Sequence, residues 1–333
     1  MKVYFRADGN TQTGLGHLYR SCALAQMIKD EFECVFVTRF VTEHLRTEIG
    51  SAASQLIVLD ESDRHFDEFL DLLTGDEIVV LDNYFFDASY QKKIKDKGAK
   101  LVCVDDRKSI TYYCDVIINH VIGISAEDLS ALPYTKFCLG TDFALLRPAF
   151  IESMKHAYPM PEDKTILIAM GGTDYNNHSL AVAELLLSGS DFDVVVLIGD
   201  AYLHASSLEE LKTEYPGRIN VYRNLDENKI IALLKQSSIV ICPPSSFSYE
   251  VCAVGRPLIV GSFAPGQMEI AGQLAKYNLA IDCGALKCLT KDILMNALKQ
   301  ANAFASHCIS QQKHYFRGQQ PENIIHAFKN LIS

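Results

Sequence analysis

Short runs of apolar, β-branched residues alternate along the chain with stretches whose apolar positions recur at helical spacing. In the first half the runs fall at 2–6, 34–38, 56–59, 78–81, 100–104, 116–118 and 136–139. They are continuous rather than alternating, which is the pattern of parallel strands covered on both faces. After the first run, residues 17–30 place Leu24, Met27 and Ile28 at i, i+3 and i+4, one apolar stripe of a helix. This rhythm predicts βα units around a parallel sheet. It breaks over 148–164, where Pro148, Pro159 and Pro161 interrupt any helix and Glu162, Asp163 and Lys164 follow. It then restarts, with runs at 166–169, 193–198, 219–222, 239–242, 257–260 and 280–282, and closes with helical stretches at 291–305 and 322–331. The prediction is an α/β protein of two Rossmann-like domains facing across a cleft, residues 1–150 and 151–315. A C-terminal helix in 316–333 is expected to pack back on the first domain.

Composition narrows the function classes. The chain has 333 residues, 48% of them apolar, and a mean hydropathy of +0.06, so it can bury a substantial core. Its 31 Lys and Arg against 41 Asp and Glu leave a formal charge of −10. That balance argues against a nucleic-acid or anionic-membrane partner, but a helix N-terminus can still hold a small anion. No stretch approaches the length of a membrane helix, and the N-terminus lacks a signal-peptide apolar region. A soluble, cytoplasmic protein is expected. The ten cysteines form no C-x-x-C pair and most sit in apolar runs, as small buried hydrophobes do. No metal is expected.

Several strand ends carry candidate chemistry. The first is followed by Gly14-Leu15-Gly16-His17-Leu18-Tyr19-Arg20. Gly14 and Gly16 allow a tight turn and a close approach to a ligand, but the third glycine of a dinucleotide fingerprint is missing. His17 opens a helix, where the dipole disfavours imidazolium, which suits a ring that accepts a proton. A histidine that merely ends the helix is the plainer reading. Asp82 and Tyr84, flanking Asn83 after the fourth run, fall on one side of an extended chain, although Asp-Asn is also a turn pair. Asp105-Asp106-Arg107 reads as a turn or a local ion pair. Asp191-Phe192-Asp193 matches a metal-binding D-x-D pattern but precedes its strand, away from where open sheets bind ligands.

The second half holds two candidate phosphate loops. Gly171-Gly172-Thr173-Asp174 and Ser245-Ser246 each join a strand to a helix, where backbone N–H groups are available to an anion. Glu250, one turn into the second helix, is placed to accept two ribose hydroxyls. Gly255-Arg256-Pro257 reads as turn geometry and Gln267 as a loop residue.

The order of these motifs resembles one family. Gly14-x-Gly16-His17-x-x-Arg20, Leu81-Asp82-Asn83-Tyr84, Leu145-Leu146-Arg147-Pro148-x-Phe150, Gly171-Gly172-Thr173-Asp174, Ser245-Ser246…Glu250 and Gln267 are similar to the UDP-sugar hydrolases of pseudaminic acid biosynthesis. Those enzymes are relatives of the murein glycosyltransferase with the GT-B fold. The resemblance runs over nearly the whole chain, and the combination rather than any one motif carries it. It implies metal-independent, inverting hydrolysis of UDP-2,4-diacetamido-2,4,6-trideoxy-β-L-altropyranose to UDP and the free sugar, with no cofactor and a nucleotide sugar as the only partner. On that analogy His17 activates water and Asp82 and Tyr84 position sugar or water. Gly171, Gly172, Thr173, Ser245, Ser246 and Glu250 hold the nucleotide, and Gly14, Gly16, Arg20, Asn83 and Gln267 line the substrate site. Thr173 stands for the commoner Ser, and Phe247-Ser248-Tyr249 is nearer to the glycosyltransferase relatives. A glycosyltransferase with a UDP-sugar donor and a non-catalytic nucleotide-sugar sensor are the alternatives. A membrane-bound acceptor calls for an apolar, basic patch in the first half. The segment 41–48 mixes His44 and Arg46 with Glu43, Thr42 and Thr47 and does not supply one.

Overall fold

The computed structural model describes residues 1–9, 14–107 and 110–332, with the side chains of His44 and Pro265 left aside. Residues 10–13, inside the first glycine loop, therefore lie outside the described residues, as does the His44 side chain. Contacts divide the chain into two units, Met1–Pro148 with Gln319–Ser333, and Ala149–Gly318.

In the first unit the strands are β1 (Lys2–Ala7), β2 (Glu33–Thr38), β3 (Gln55–Val58), β4 (Ile78–Asp82), β5 (Lys100–Val104), β6 (Thr111–Tyr112), β7 (Val116–Asn119), β8 (Ser130–Ala131) and β9 (Lys136–Leu139). Among the described residues they form a seven-stranded sheet ordered β3-β2-β1-β4-β5-β7-β9 and a small β6-β8 pair. Its neighbours run parallel, with Val3, Phe5 and Arg6 of β1 opposite Ile78, Val80 and Leu81 of β4. Helices α1 (Gly16–Ile28), α2 (Glu43–Ala52), α3 (His65–Asp71) and α4 (Ala88–Asp96) supply crossovers. Both faces are apolar: Tyr4, Val35, Val79 and Leu101 pack in one layer, while Val3, Phe5, Phe36 and Val80 are fully buried on alternate positions. Each such side chain contributes about 1.5–3 kcal/mol.

The second unit repeats the plan. Its helices are α5 (Pro148–Ser153), which begins at the unit boundary, α6 (His178–Gly189), α7 (Ala205–Glu214), α8 (Glu227–Gln236), α9 (Ser246–Val254), α10 (Pro265–Lys276), α11 (Lys291–Ala303) and α12 (Ala305–Tyr315). Strands β10 (Thr165–Ile168), β11 (Asp193–Ile198), β12 (Ile219–Arg223), β13 (Ile239–Cys242), β14 (Leu258–Ser262) and β15 (Ile281–Ala285) form a sheet ordered β12-β11-β10-β13-β14-β15. The helical stretch at 291–305 stops at Ala303, and a separate α12 follows without a proline to announce it. The last helix, α13 (Gln320–Lys329), belongs to the first unit. There Gln320 Nε2 and Asn323 Nδ2 donate to the carbonyls of Thr141 and Asp142, and Phe328 packs on Phe32 at 5.9 Å between ring centroids.

Both sheets reverse direction at their first strand. In unit 1 the neighbours of β1 are β2 and β4, and in unit 2 those of β10 are β11 and β13. At such a switch point the loops leaving adjacent strands diverge and open a crevice at the carboxyl ends. The candidate motifs follow β1 and β4 in one unit and β10 and β13 in the other.

Candidate functional site

The end of β4 is the centre of the first unit's site. Asp82, its last residue, is fully buried beneath the first turn of α1. Arg20 Nε donates to both carboxylate oxygens at 2.9 and 2.8 Å, Ser21 Oγ donates to Oδ2 at 2.9 Å, and His17 Nδ1 lies 2.7 Å from Oδ1. Helical spacing explains the convergence: His17, Arg20 and Ser21 stand at i, i+3 and i+4 on one face of α1. Burial alone would raise the Asp82 carboxyl, but Arg20 and His17 overcome it and hold the group at about 2. Arg20 is pushed the other way, upward, by the same carboxylate acting against burial. Arg20 also reaches the Val104 carbonyl at 3.3 Å and stands 3.9 Å from Asp106.

Nδ1 lies 2.7 Å from the Asp82 carboxylate and 3.1 Å from Arg20 Nη2. The carboxylate favours the tautomer that carries its proton on Nδ1 and leaves Nε2 bare. A proton taken up there makes an imidazolium that Asp82 stabilises, the logic of a His-Asp dyad. Tyr84 completes the group. Its ring meets the His17 imidazole edge to face at 4.9 Å, and its hydroxyl donates to Asp106 at 3.0 Å. The structure therefore brings His17, Arg20, Asp82 and Tyr84 together.

Asn83 has a different task. Its Oδ1 accepts from the Asp8 amide at 2.6 Å and its Nδ2 donates to the Asp8 carbonyl at 3.0 Å, so it pins the end of β1 to the end of β4. Gly9 is packed against the chain itself: a Cβ there would lie 2.8 Å from the Gly14 carbonyl and from Leu18 Cδ1, whereas at Gly14 and Gly16 a Cβ would meet nothing within 4 Å among the described residues. Gly14 is needed for its backbone, at φ +83°.

A second charged group beside this one has no counterpart in the sequence reading. Arg6, fully buried on β1, pairs with Asp8 at 2.7 Å and donates to His65 Nδ1 at 2.9 Å. Asp8 also takes the Arg39 side chain at 2.7 Å and the Thr38 hydroxyl at 3.1 Å. Burial, then Arg6 and Arg39, push the His65 imidazole down to about 4. His120, buried after β7, is likewise lowered to about 4 by burial and by Arg20. The available signal was a charged residue, Arg6, inside an otherwise apolar buried strand.

The second unit's loops use backbone instead of charge. Gly171 sits at φ +95°, which only glycine adopts without strain. Gly199, at the end of β11, is packed so closely that a Cβ there would lie 2.6 Å from Gly172 Cα. Gly199 is a further residue the sequence reading passed over. The His178 and Ser179 amides at the start of α6 are taken within the chain. Asp174 takes the His178 and Ser179 N–H groups at 2.8 and 2.7 Å, so an anion in this loop would have to use the amides around Gly171–Thr173.

At α9, Ser245 occupies the cap position, but Ser248 does the capping. Its buried Oγ accepts from the Ser245 amide at 3.2 Å and donates to the Ser245 carbonyl at 2.6 Å. Ser245 and Ser246 are half-buried at the helix start, with Glu250 buried one turn further in. Gln267 lies in the first turn of α10, not in a loop, and its Oε1 accepts from the amides of Phe263 and Ala264 at 3.0 and 3.3 Å. Gly255 caps α9 at φ +76°, while Arg256 is fully buried and donates to the carbonyls of Leu234, Lys235 and Pro159. Asp193 starts β11 at the amino end of the sheet, 3.7 Å from Arg218. Among the described residues no group of three or more His, Cys, Asp or Glu is placed to hold a metal ion, and no helix is long and apolar enough to cross a membrane.

Comparison with known proteins follows the same outline. No family model matches the chain. It is 29% identical over 297 residues to the spore coat polysaccharide biosynthesis protein SpsG of Bacillus subtilis, covering 85% of this chain and 84% of that one. It is 25% identical over 288 residues to the UDP-2,4-diacetamido-2,4,6-trideoxy-beta-L-altropyranose hydrolase of Campylobacter jejuni, covering 85% and 99%. A third relative, the uncharacterized protein MJ1062 of Methanocaldococcus jannaschii, is 25% identical over 272 residues; the match takes in 78% of this chain but only 55%, about half, of that protein. Among solved structures, the calicheamicin glycosyltransferase CalG4 superimposes with a TM-score of 0.67 at 13% identity over 99% of this chain and 98% of that one. MurG of Acinetobacter baumannii gives 0.61 at 11% over 99% of both. The fold is the α/β, two-Rossmann-domain architecture of GT-B glycosyltransferases, and the resemblance drawn from the motifs stands, through a similar hydrolase of that name.

Proposed function

We propose that the protein cleaves a UDP-activated 2,4-diacetamido-2,4,6-trideoxyhexose by adding water, releasing UDP, as the similar Campylobacter jejuni hydrolase is named for doing. The observation that carries this reading is the 2.7 Å contact of His17 Nδ1 with the buried Asp82 carboxylate, which leaves Nε2 as the proton acceptor. In the proposed step the Nε2 lone pair takes a proton from water while the water oxygen bonds to the anomeric carbon. The bond from that carbon to the β-phosphate oxygen breaks, and its electron pair leaves with UDP. Attack from the face opposite the leaving group inverts the centre through an oxocarbenium-like transition state. UDP is a good leaving group, so backbone N–H groups suffice to meet its growing charge.

We assign the nucleotide to the second unit. Gly171, Gly172 and Thr173 offer loop amides to the diphosphate, Ser245 and Ser246 the start of α9, and Glu250 an acceptor for the ribose hydroxyls. No metal or cofactor enters the step, and the reaction belongs to the cytoplasm, where nucleotide sugars are made and used. Transfer to a hydroxyl acceptor uses the same base, and the glycosyltransferase likeness of the fold keeps it as the second reading. Incubation with the UDP-sugar and no acceptor decides between them. UDP and free sugar should accumulate together, whereas UDP release that requires an added acceptor would replace hydrolysis by transfer.

A further inference from the structure

Asp105 and Asp106 are adjacent carboxylates after β5, yet they act on different partners. Asp105 turns to Arg107, whose Nε lies 3.0 Å from both its oxygens. Asp106 instead accepts the Tyr84 hydroxyl at 3.0 Å and stands 3.9 Å from Arg20 Nη1, with its side chain 19% exposed. Tyr84 needs that anchor. It sits on the loop leaving β4 with 48% of its surface exposed, where a free phenol ring would sample several rotamers. Three contacts hold it: the Asp106 carboxylate on its hydroxyl, the Arg107 guanidinium donating to its carbonyl, and the same guanidinium 5.3 Å over its ring. Desolvation and Asp106 together raise the phenol, so the hydroxyl remains a donor throughout the neutral range.

The held ring is the one that meets His17 edge to face, at 4.9 Å and 87°. Asp82 and Arg20 both meet the imidazole at Nδ1, which locates one atom of the ring but lets the plane pivot about it. An edge-to-face neighbour restrains the plane, and with it the direction in which Nε2 points. We propose that Asp106 is a positioning residue for His17, acting through Tyr84 as a second brace beside Asp82. The brace rests on the reading of His17 as the base. Removing it should spare substrate binding and misdirect the lone pair.

Three variants test this: Asp106→Ala, which removes the acceptor of the Tyr84 hydroxyl, Tyr84→Phe, which removes the donor, and the double variant. Each single change should lower kcat about ten- to hundredfold, the cost of a misaligned catalytic group, with KM for the UDP-sugar unchanged. The double variant should lose no more than either single one, because both cut the same link. Ring-to-ring nuclear Overhauser contacts between His17 and Tyr84, present in the wild type, should fade in both single variants while the thermal midpoint shifts little. Wild-type hydrolysis with full kcat in Asp106→Ala, or additive losses in the double variant, would overturn the brace and leave the hydrolase reading intact. Should the wild type hydrolyse nothing, that reading falls, and the ring contacts alone decide the brace: loss in Asp106→Ala upholds it, and persistence overturns it.

Discussion

The two units solve the same topological problem with different materials. Each places its candidate site where the sheet reverses, at β1 and β4 in one and at β10 and β13 in the other. Unit 1 fills that crevice with titratable and charged side chains, His17, Arg20, Asp82, Asp106 and the neighbouring Arg6-Asp8-Arg39 group. Unit 2 fills it with glycines, serines and backbone amides around Gly171, Gly172, Gly199, Ser245 and Ser246. In the proposed function the first arrangement moves a proton and the second holds the nucleotide. One sheet plan thus carries two kinds of strand-end chemistry, charged side chains in one unit and backbone in the other.

The contrast breaks most sharply at His17. His17→Ala should reduce kcat by about 10²–10⁴, the usual worth of a general base, while UDP affinity measured by calorimetry stays near the wild-type value. Equal losses in both would mean that the two units do not divide the work. Asp82→Asn comes next. It leaves Arg20 buried without its charge partner, a change that costs about 3–5 kcal/mol of stability, to be read from denaturant melts, and it removes the tautomer lock as well.

The pH dependence separates the units further. His65 and His120, both in unit 1, sit at about 4, below an unfolded histidine near about 6.5. The unfolded chain therefore binds more protons between those values, so stability is lost as pH falls from about 6.5 toward 4. Asp82 adds a second loss below about 4, continuing toward 2, because its folded value is depressed. Denaturant midpoints at pH 7 and 4.5 should show the first loss, and His65→Gln should make it smaller. The smallest effect belongs to unit 2. Asp174→Ala uncaps α6 and should cost about 0.5–2 kcal/mol. Tighter rather than weaker UDP binding in that variant would show that the helix amides are an anion site which Asp174 keeps closed.

Much of the fold was legible because buried parallel strands advertise themselves as continuous apolar runs. The runs at 100–104, 136–139, 193–198 and 239–242 match β5, β9, β11 and β13, and the others differ by a residue or two at their ends, except that β15 runs three residues beyond the expected 282. The break at Ala303 between α11 and α12 was not legible, since no Pro or Gly marks it. At the site, Asp82 ends β4, Tyr84 follows it and His17 opens α1 after β1, and all three stood out as polar residues where strands give way to helices. The partners of Arg20 and Asn83, Asp82 and Asp8, were not legible, because a sequence shows where a charge sits and not which buried partner claims it. Gln267 was read as a loop residue for the same reason. Its role as a helix-start acceptor depends on where α10 begins. Gly9 and Gly199 escaped notice because their importance lies in a backbone segment distant in sequence or hidden by the turn.

The account's central claim is that water, directed by His17, attacks the anomeric carbon. It is tested most directly by running the reaction in ¹⁸O-labelled water without an acceptor and weighing both products at early times. The account predicts one labelled oxygen in the free sugar and none in UDP, with both lost together in His17→Ala. Label in the β-phosphate of UDP, or no UDP until an acceptor is supplied, would contradict it.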